Sequence, residues 1–394
     1  MQPPKRLKIA FVIDSYDGIK TGGVFSAQRF INALSIDHDI TLVTTGKEDP
    51  SRVIMKSFYP PFFKGLMQKM GFVFAWPDTK KLTELFSQVD IVHVQFPWLL
   101  GLRAIKIAKK MGVPVVTGFH MQPENILLNI KLRSQFLSEQ IYRFFINSFF
   151  NKSDGVICPS DFALKELKNR GLKAKPIVIS NGLTKDFRPI EAVKKPEYQD
   201  KFLILVVGRL AREKRVDILI KAIANSKYKD KIQMVATGRG PMKETWEEMG
   251  KYLPNPAKFL FVSHEDLINL FNTADLYVHT SEVELEGMAV LEAIGCGLPA
   301  IISINSTSAS SQFALDENFG FQDADYFELA KKIDFLIENP EILMDAKKKY
   351  REMALKFNLE ESVKLTEDFY FNTIKVIEKQ NSKRGLTIPQ ILET

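Results

Sequence analysis

Cysteine is scarce in this chain: Cys158 and Cys296 are the only two in 394 residues, and they lie far apart. With no CxxC and no Cys/His cluster at metal-ligand spacing, a disulfide framework and a zinc module are excluded. A reducing cytoplasm fits this usage. No segment offers the roughly 18 uninterrupted apolar residues of a spanning helix. The N-terminal run MQPPKRLKIAFVID has too short an apolar stretch, and no small-residue cleavage site, for a signal peptide. It reads instead as a buried parallel strand. No short-period repeat is present.

What remains is a soluble composition, 45% apolar and 26% charged, in a chain long enough for two domains. Net charge is +7, unevenly spread: residues 1–180 carry 25 Lys and Arg against 14 Asp and Glu, the rest 29 against 33. A basic first half implies a polyanionic partner, against the simpler reading of a solvated basic surface. Apolar runs such as LKIAFVI, DITLVTT, VDIVHVQ, PVVTGFH and DGVICPS alternate with helical stretches, which predicts a parallel, doubly wound sheet. The polar stretch NGLTKDFRPIEAVKKPEYQDK reads as a linker, after which the pattern restarts at KFLILVVG. The reading is therefore α/β, with two Rossmann-like doubly wound domains facing a cleft. Residues 1–190 form the first and 191–361 the second. A helix at about 362–380 returns to the first domain, and a polar tail covers 381–394.

Ligands of open α/β sheets bind beyond the carboxyl ends of the strands, so motifs there carry most weight. Gly22-Gly23 follows the first strand and precedes a helix, a place where backbone approaches an anion closely. The motif Thr21-Gly22-Gly23-Val24 is not GxGxxG, which disfavours a dinucleotide dehydrogenase. Gly208-Arg209-Leu-Ala-Arg-Glu-Lys214 brings three cations to the end of LILVV, a natural match for a pyrophosphate. Glu284-Leu-Glu-Gly-Met-Ala-Val-Leu-Glu292 opens a helix after DLYVHTS. There Gly287, Met288 and Ala289 present free N–H groups to a phosphate, and Glu292 is placed to accept from two vicinal hydroxyls. Acidic residues at 282, 284 and 286 would repel a pyrophosphate unless held away from it. His120 ends PVVTGF; alone it reads as a structural histidine, but its strand-end position favours a site residue. Asp323-Ala-Asp325 has the form of a Mg²⁺-holding pair, yet it precedes a helix and is better explained as an N-cap.

Gly208/Arg209/Lys214 together with Glu284-x7-Glu292 resembles the signature of retaining glycosyltransferases of family 4, with the GT-B fold. The Gly-Gly loop, VDIVHVQ, ISNGLTKDF and the GRGPM segment at Gly238 fit the same pattern, over about residues 8–380. The segment from Gly118 through His120 to Asn125 is similar to bacterial glucosyltransferases acting on diacylglycerol. The resemblance implies that Arg209 and Lys214 bind the donor diphosphate and stabilise the leaving group. The Gly287–Ala289 backbone would meet the phosphates, Glu292 the ribose, Glu284 the donor sugar and His120 its primary hydroxyl. Gly22 and Gly23 would face donor and acceptor. His264, at the end of KFLFVS, is read from that strand-end position as flanking the nucleobase. Leu285-Glu286 departs from the family's Glu-Gly-Phe-Gly, so the sugar pocket is expected to differ.

Residues 52–76 and 131–152 interleave Lys and Arg with Phe, Tyr, Trp and Met, the composition of an interfacial segment. The alternative is core helix with a basic edge. Together with the family resemblance, these segments lead to the expectation of a peripheral enzyme on the inner face of the cell membrane, moving a hexose with retention from UDP-glucose to a lipid or lipid-linked acceptor. No metal cofactor is expected, because the GRLAREK cations neutralise the diphosphate, and no nucleic-acid module is recognised. The rivals are a soluble glycan transferase, a nucleotide-sugar epimerase of the same fold and a catalytically silent binding module.

Overall fold

The computed structural model of the protein describes residues 6–17, 21–61, 64–65, 67 and 72–383. The chain divides into two compact units. The first comprises Met1–Pro123, Ser134–Asn181 and Glu360–Thr394; the second comprises Glu124–Arg133 and Gly182–Leu359.

The first unit holds strands β1 (Lys8–Val12), β2 (Asp39–Thr44), β3 (Arg52–Ile54), β4 (Lys56–Phe58), β5 (Phe74–Trp76), β6 (Ile91–Val94), β7 (Val115–Gly118), β8 (Gly155–Cys158) and β9 (Lys175–Val178). Seven of them form one parallel sheet in the order β3-β2-β1-β6-β7-β8-β9, while β4 and β5 pair as an antiparallel hairpin. The central strands are continuous apolar runs because helices cover both faces. Those helices are α1 (Gly22–Leu34), α2 (Thr79–Phe86), α3 (Leu99–Lys110), α4 (Pro123–Asn129), α5 (Gln135–Ser148) and α6 (Asp161–Lys168). In α1, Val24, Ala27, Phe30, Ile31 and Leu34 are buried, the spacing of a single helical stripe. Apart from its first residue, α4 groups with the second unit.

The second unit repeats the plan. Strands β10 (Phe202–Val207), β11 (Ile232–Thr237), β12 (Lys258–Leu260), β13 (Leu276–His279), β14 (Ala300–Ile304) and β15 (Gly320–Gln322) run parallel in the order β12-β11-β10-β13-β14-β15. They alternate with α7 (Val216–Asn225), α8 (Lys243–Gly250), α9 (His264–Thr273) and α10 (Met288–Gly295), followed by α11 (Tyr326–Glu338) and α12 (Pro340–Ala354). Asp325 caps α11, accepting from the backbone N–H of Phe327 and of Glu328, and Asp323 accepts from Ser303 Oγ. The DxD pair thus has local structural work.

Three boundaries differ from the sequence reading. The units part at residues 181/182 rather than 190/191, because the start of the linker already packs on the second core. Phe187 is buried in that core, and a Cβ on Gly295 would meet Leu183 at 2.5 Å. Residues 124–133 group with the second unit although they precede the linker. The last helix, α13 (Leu359–Lys383), runs beyond residue 380, with Asn381 donating to the Gly112 carbonyl at 3.0 Å. Residues 384–394 of the expected tail lie outside the described residues.

Helix α13 belongs to the first unit. Phe369, Tyr370 and Ile374 join Leu7, Ile9, Val116 and Ile157 in its core. Polar contacts also fix the helix: His38 Nε2 lies 3.0 Å from Glu367, and His93 Nδ1 lies 2.6 Å from the Tyr370 hydroxyl.

Candidate active site

In the second unit, the carboxyl ends of β10, β11 and β13 converge. The β10 turn carries Gly208 and Arg209; the β11 turn carries Gly238. A Cβ on Gly238 would stand 1.9 Å from the Gly208 carbonyl oxygen, and φ there is +145°. Only glycine permits that contact, which lets the two turns stack backbone on backbone. The Leu210 N–H donates to the Arg239 carbonyl (2.9 Å), fixing the GRLAREK loop on the GRGPM loop. A single 3₁₀ turn at Arg212–Lys214 then leads into α7.

Two of the three cations of this loop, Arg209 and Lys214, are paired. Arg209 Nη2 donates to Glu213 Oε1 at 2.6 Å, and Glu213 is buried. Asn129 of α4 reaches the other Glu213 oxygen at 3.4 Å. Lys214 Nζ pairs with Glu284 Oε1, although 70 residues separate them. The Lys214 carbonyl accepts from Thr280 Oγ1 at 2.7 Å, so backbone and side chain are both held by the β13 edge. Burial alone would lift the Glu284 pKa, but Lys214 and then His279 outweigh it and hold the carboxyl well below its usual range. Glu284 is therefore ionised at neutral pH.

The acidic cluster is also neutralised locally. Arg133 grips Glu282 with two hydrogen bonds of 2.5 and 2.8 Å, and Arg215 lies 3.6 Å from the same carboxylate. Leu285 and Glu286 are both buried. The expected repulsion of a pyrophosphate is thereby cancelled at 282 and 284. Gly287 caps α10 with φ +100°, a left-handed position that places the free N–H groups of Met288 and Ala289 at the helix start. Glu292 follows one turn further on, half-buried.

His264 opens α9, exposed, 3.2 Å from Asp186 and edge-on to Phe187 at 5.4 Å. Its partners are linker residues.

In the first unit, Gly22 has open space at its Cβ position. Gly23 packs closely, its Cβ position 2.9 Å from the Phe96 ring and 3.1 Å from His120 Cβ. Gln95 Nε2 donates to the Gly23 carbonyl at 2.8 Å. Gly22, Gly23 and His120 are thus neighbours, as their strand-end positions implied. Burial pushes His120 down to about 4, so its imidazole is neutral at physiological pH. Beneath it, burial lowers His93 further, to about 3.

Several buried titratable residues at or near strand ends in the two units escaped sequence reading. Glu213 sits inside the recognised loop but is one more acidic residue in a charged string. His279 ends β13 just as His120 follows β7, and the strand-end rule applied evenly would have found it. Asp14 is buried past the end of β1, accepts from the Ala75 N–H at 3.1 Å and is raised by burial to about 7.

Known proteins similar to this chain are glycosyltransferases. The family described as Glycosyltransferase Family 4 matches residues 21–187, and Glycosyl transferases group 1 matches residues 187–365. An alpha-monoglucosyldiacylglycerol synthase of Streptococcus pneumoniae is 26% identical over 316 residues, covering 75% of this chain and 70% of that protein. A second alpha-monoglucosyldiacylglycerol synthase, from Acholeplasma laidlawii, is 22% identical over 407 residues, covering 96% and 99%. Among solved structures, the sucrose-phosphate synthase of Thermosynechococcus elongatus aligns with a TM-score of 0.75 at 17% identity, over 94% of this chain and 100% of that one. At that identity the likeness is one of fold, the GT-B architecture of two Rossmann-like domains.

Proposed function

This chain belongs to the family 4 glycosyltransferases, and we propose that it moves a hexose, with retention, from a UDP-linked donor to a membrane lipid such as diacylglycerol. The observation that carries the donor half is the convergence of Arg209, Lys214 and Glu284 on one set of strand ends, beside the helix start at Gly287. Two cations and a row of N–H groups suit a diphosphate whose negative charge grows as the sugar leaves. Glu284 is ionised and faces the same place, suited to sugar hydroxyls. Arg209 and Lys214 supply the neutralising charge, so turnover is expected to survive chelation of divalent metals. The donor phosphate itself takes the acceptor proton. Glucose, UDP and retention rest on the family resemblance.

The lipid half rests on the named glycolipid relatives and on the surface of α5. Phe136 (70% exposed), Leu137, Gln140, Arg143, Phe144 (49% exposed) and Asn147 form one exposed stripe of that helix. Aromatic side chains beside an arginine suit the headgroup boundary of an anionic leaflet. The expected segment 52–76 contributes less. Residues 62, 63, 66 and 68–71 lie outside the described residues, while Phe72 and Phe74 pack on Trp98 and on each other. Among the described residues no helix is long and apolar enough to cross a membrane. The proposal is peripheral attachment to the cytoplasmic face.

The test is nucleotide release from UDP-, GDP- and ADP-sugars, without metal, with and without anionic vesicles containing diacylglycerol. Release from one donor that rises with the lipid supports the reading. Release indifferent to vesicles favours a soluble glycan transferase. Replacing Phe136 and Phe144 together by serine is expected to cut co-sedimentation with anionic vesicles about tenfold, at roughly 0.7 kcal/mol per ring withdrawn from the interface. Unchanged sedimentation would remove α5 from the membrane surface.

A further inference from the structure

His279 sits where the donor's charge would be felt without touching the donor. It is buried at the end of β13, with Nδ1 3.2 Å from the Tyr277 hydroxyl and Nε2 3.3 Å from Glu284 Oε1. The Tyr277 hydroxyl also lies 3.4 Å from the Val207 carbonyl, to which it donates. Nδ1 thus faces the hydroxyl and Nε2 the carboxylate, and a neutral imidazole carries a proton on only one of the two. Nε2 is buried and 3.3 Å from a carboxylate, yet in this arrangement it closes no hydrogen bond. An imidazolium, with a proton on each nitrogen, could donate to both neighbours at once.

The second proton is withheld by burial first, and by the Lys214 ammonium on the far side of the same carboxylate. The groups acting on the ring are Glu284 and Lys214, with Tyr277 at Nδ1 and Glu292 acting in turn on Tyr277. Two groups therefore compete to neutralise Glu284, and in this structure the lysine holds the place. On the donor-site reading above, Lys214 turns to the diphosphate when a nucleotide sugar binds. Glu284 then loses its cation in a buried setting, which is costly unless another replaces it.

We propose that His279 is a positioning residue that takes one proton from solvent as the donor binds, replacing Lys214 as the cationic partner of Glu284. The imidazolium donates from Nε2 to Glu284 and from Nδ1 to Tyr277. No bond other than N–H forms, and the proton comes from water or buffer. Glu284 is thereby kept ionised and aimed while the lysine serves the phosphates. Because the bound state holds the extra proton, donor affinity weakens as pH rises through the bound histidine's pKa.

The experiment is titration calorimetry of the whole chain with UDP-glucose, and with GDP- and ADP-glucose alongside. It is run at pH 7 in buffers of different ionisation enthalpy. The diphosphate of a nucleotide sugar is a diester with no proton titrating near pH 7, so any proton exchange belongs to the protein. The slope of apparent enthalpy against buffer enthalpy is expected to show uptake of about half a proton or more per site. In His279→Gln, whose amide still donates to Glu284 but takes no proton, binding should persist and uptake should fall to near zero. Binding with zero slope in the wild-type chain overturns the proposal, whatever the variant does. So does uptake that persists in His279→Gln. Failure to bind any of the three sugars overturns the donor-site reading instead, and the inference with it.

Discussion

Lys214→Ala should lower kcat by about a hundred- to a thousandfold, the loss that follows removal of one preorganised charge from a developing anion. The substitution also strands Glu284. With the lysine gone, only His279 opposes the burial that pushes this carboxyl upward. The fold should lose about 1.5 to 3 kcal/mol, as for a hydrogen bond to a charged group. The sign with pH follows. A carboxyl depressed in the folded state stabilises the fold above its unfolded value of 4.5, and that contribution fades as pH falls toward the folded value. The wild-type advantage in melting temperature should therefore be full at pH 6 to 7 and shrink below about pH 4. Turnover within threefold of wild type would remove Lys214 from the site; a melting difference unchanged down to pH 3 would remove the ion pair.

Gly238→Ala should be the most damaging single methyl group in the second unit. The new Cβ would stand 1.9 Å from the Gly208 carbonyl oxygen, at a φ of +145° that side chains rarely adopt. The contact is with backbone, so the β10 and β11 turns must part. The expected cost is about 3 kcal/mol or more, read as a fall of about 6 to 12 °C in melting temperature. Donor affinity should fall with it, because the displaced turn carries Arg209. Gly22→Ala is the contrasting control, since its Cβ position is open. Equal stability of wild type and Gly238→Ala would show that the two turns are not packed as described.

The fold was legible where burial writes itself into consecutive residues. FLILVV is apolar throughout and IQMVAT largely so because parallel strands are covered on both faces, and they proved to be β10 and β11. The short edge strands β3, β4 and β5 were not foreseen. Three-residue strands offer no period to detect, and the aromatic residues of β4 and β5 read equally well as membrane-facing. The linker boundary was misplaced because Leu183 and Phe187 are isolated apolar residues in a polar run, and only the core they enter explains them. At the site, cations crowded after an apolar strand were visible as a motif. Their partners were not: the Lys214–Glu284 and Arg133–Glu282 pairs span 70 and 149 residues. His279 was overlooked because a lone histidine is more often structural, and its role depends on two neighbours that only the fold supplies.

The claim that this chain glycosylates a membrane lipid is tested most directly by identifying the product. The whole chain would be incubated with UDP-glucose and anionic vesicles carrying diacylglycerol, and the lipid fraction analysed by mass spectrometry and by proton NMR at the anomeric position. A hexosyl lipid with the donor's α configuration is the predicted result. Free hexose alone, an epimerised nucleotide sugar or a β-linked lipid would contradict it.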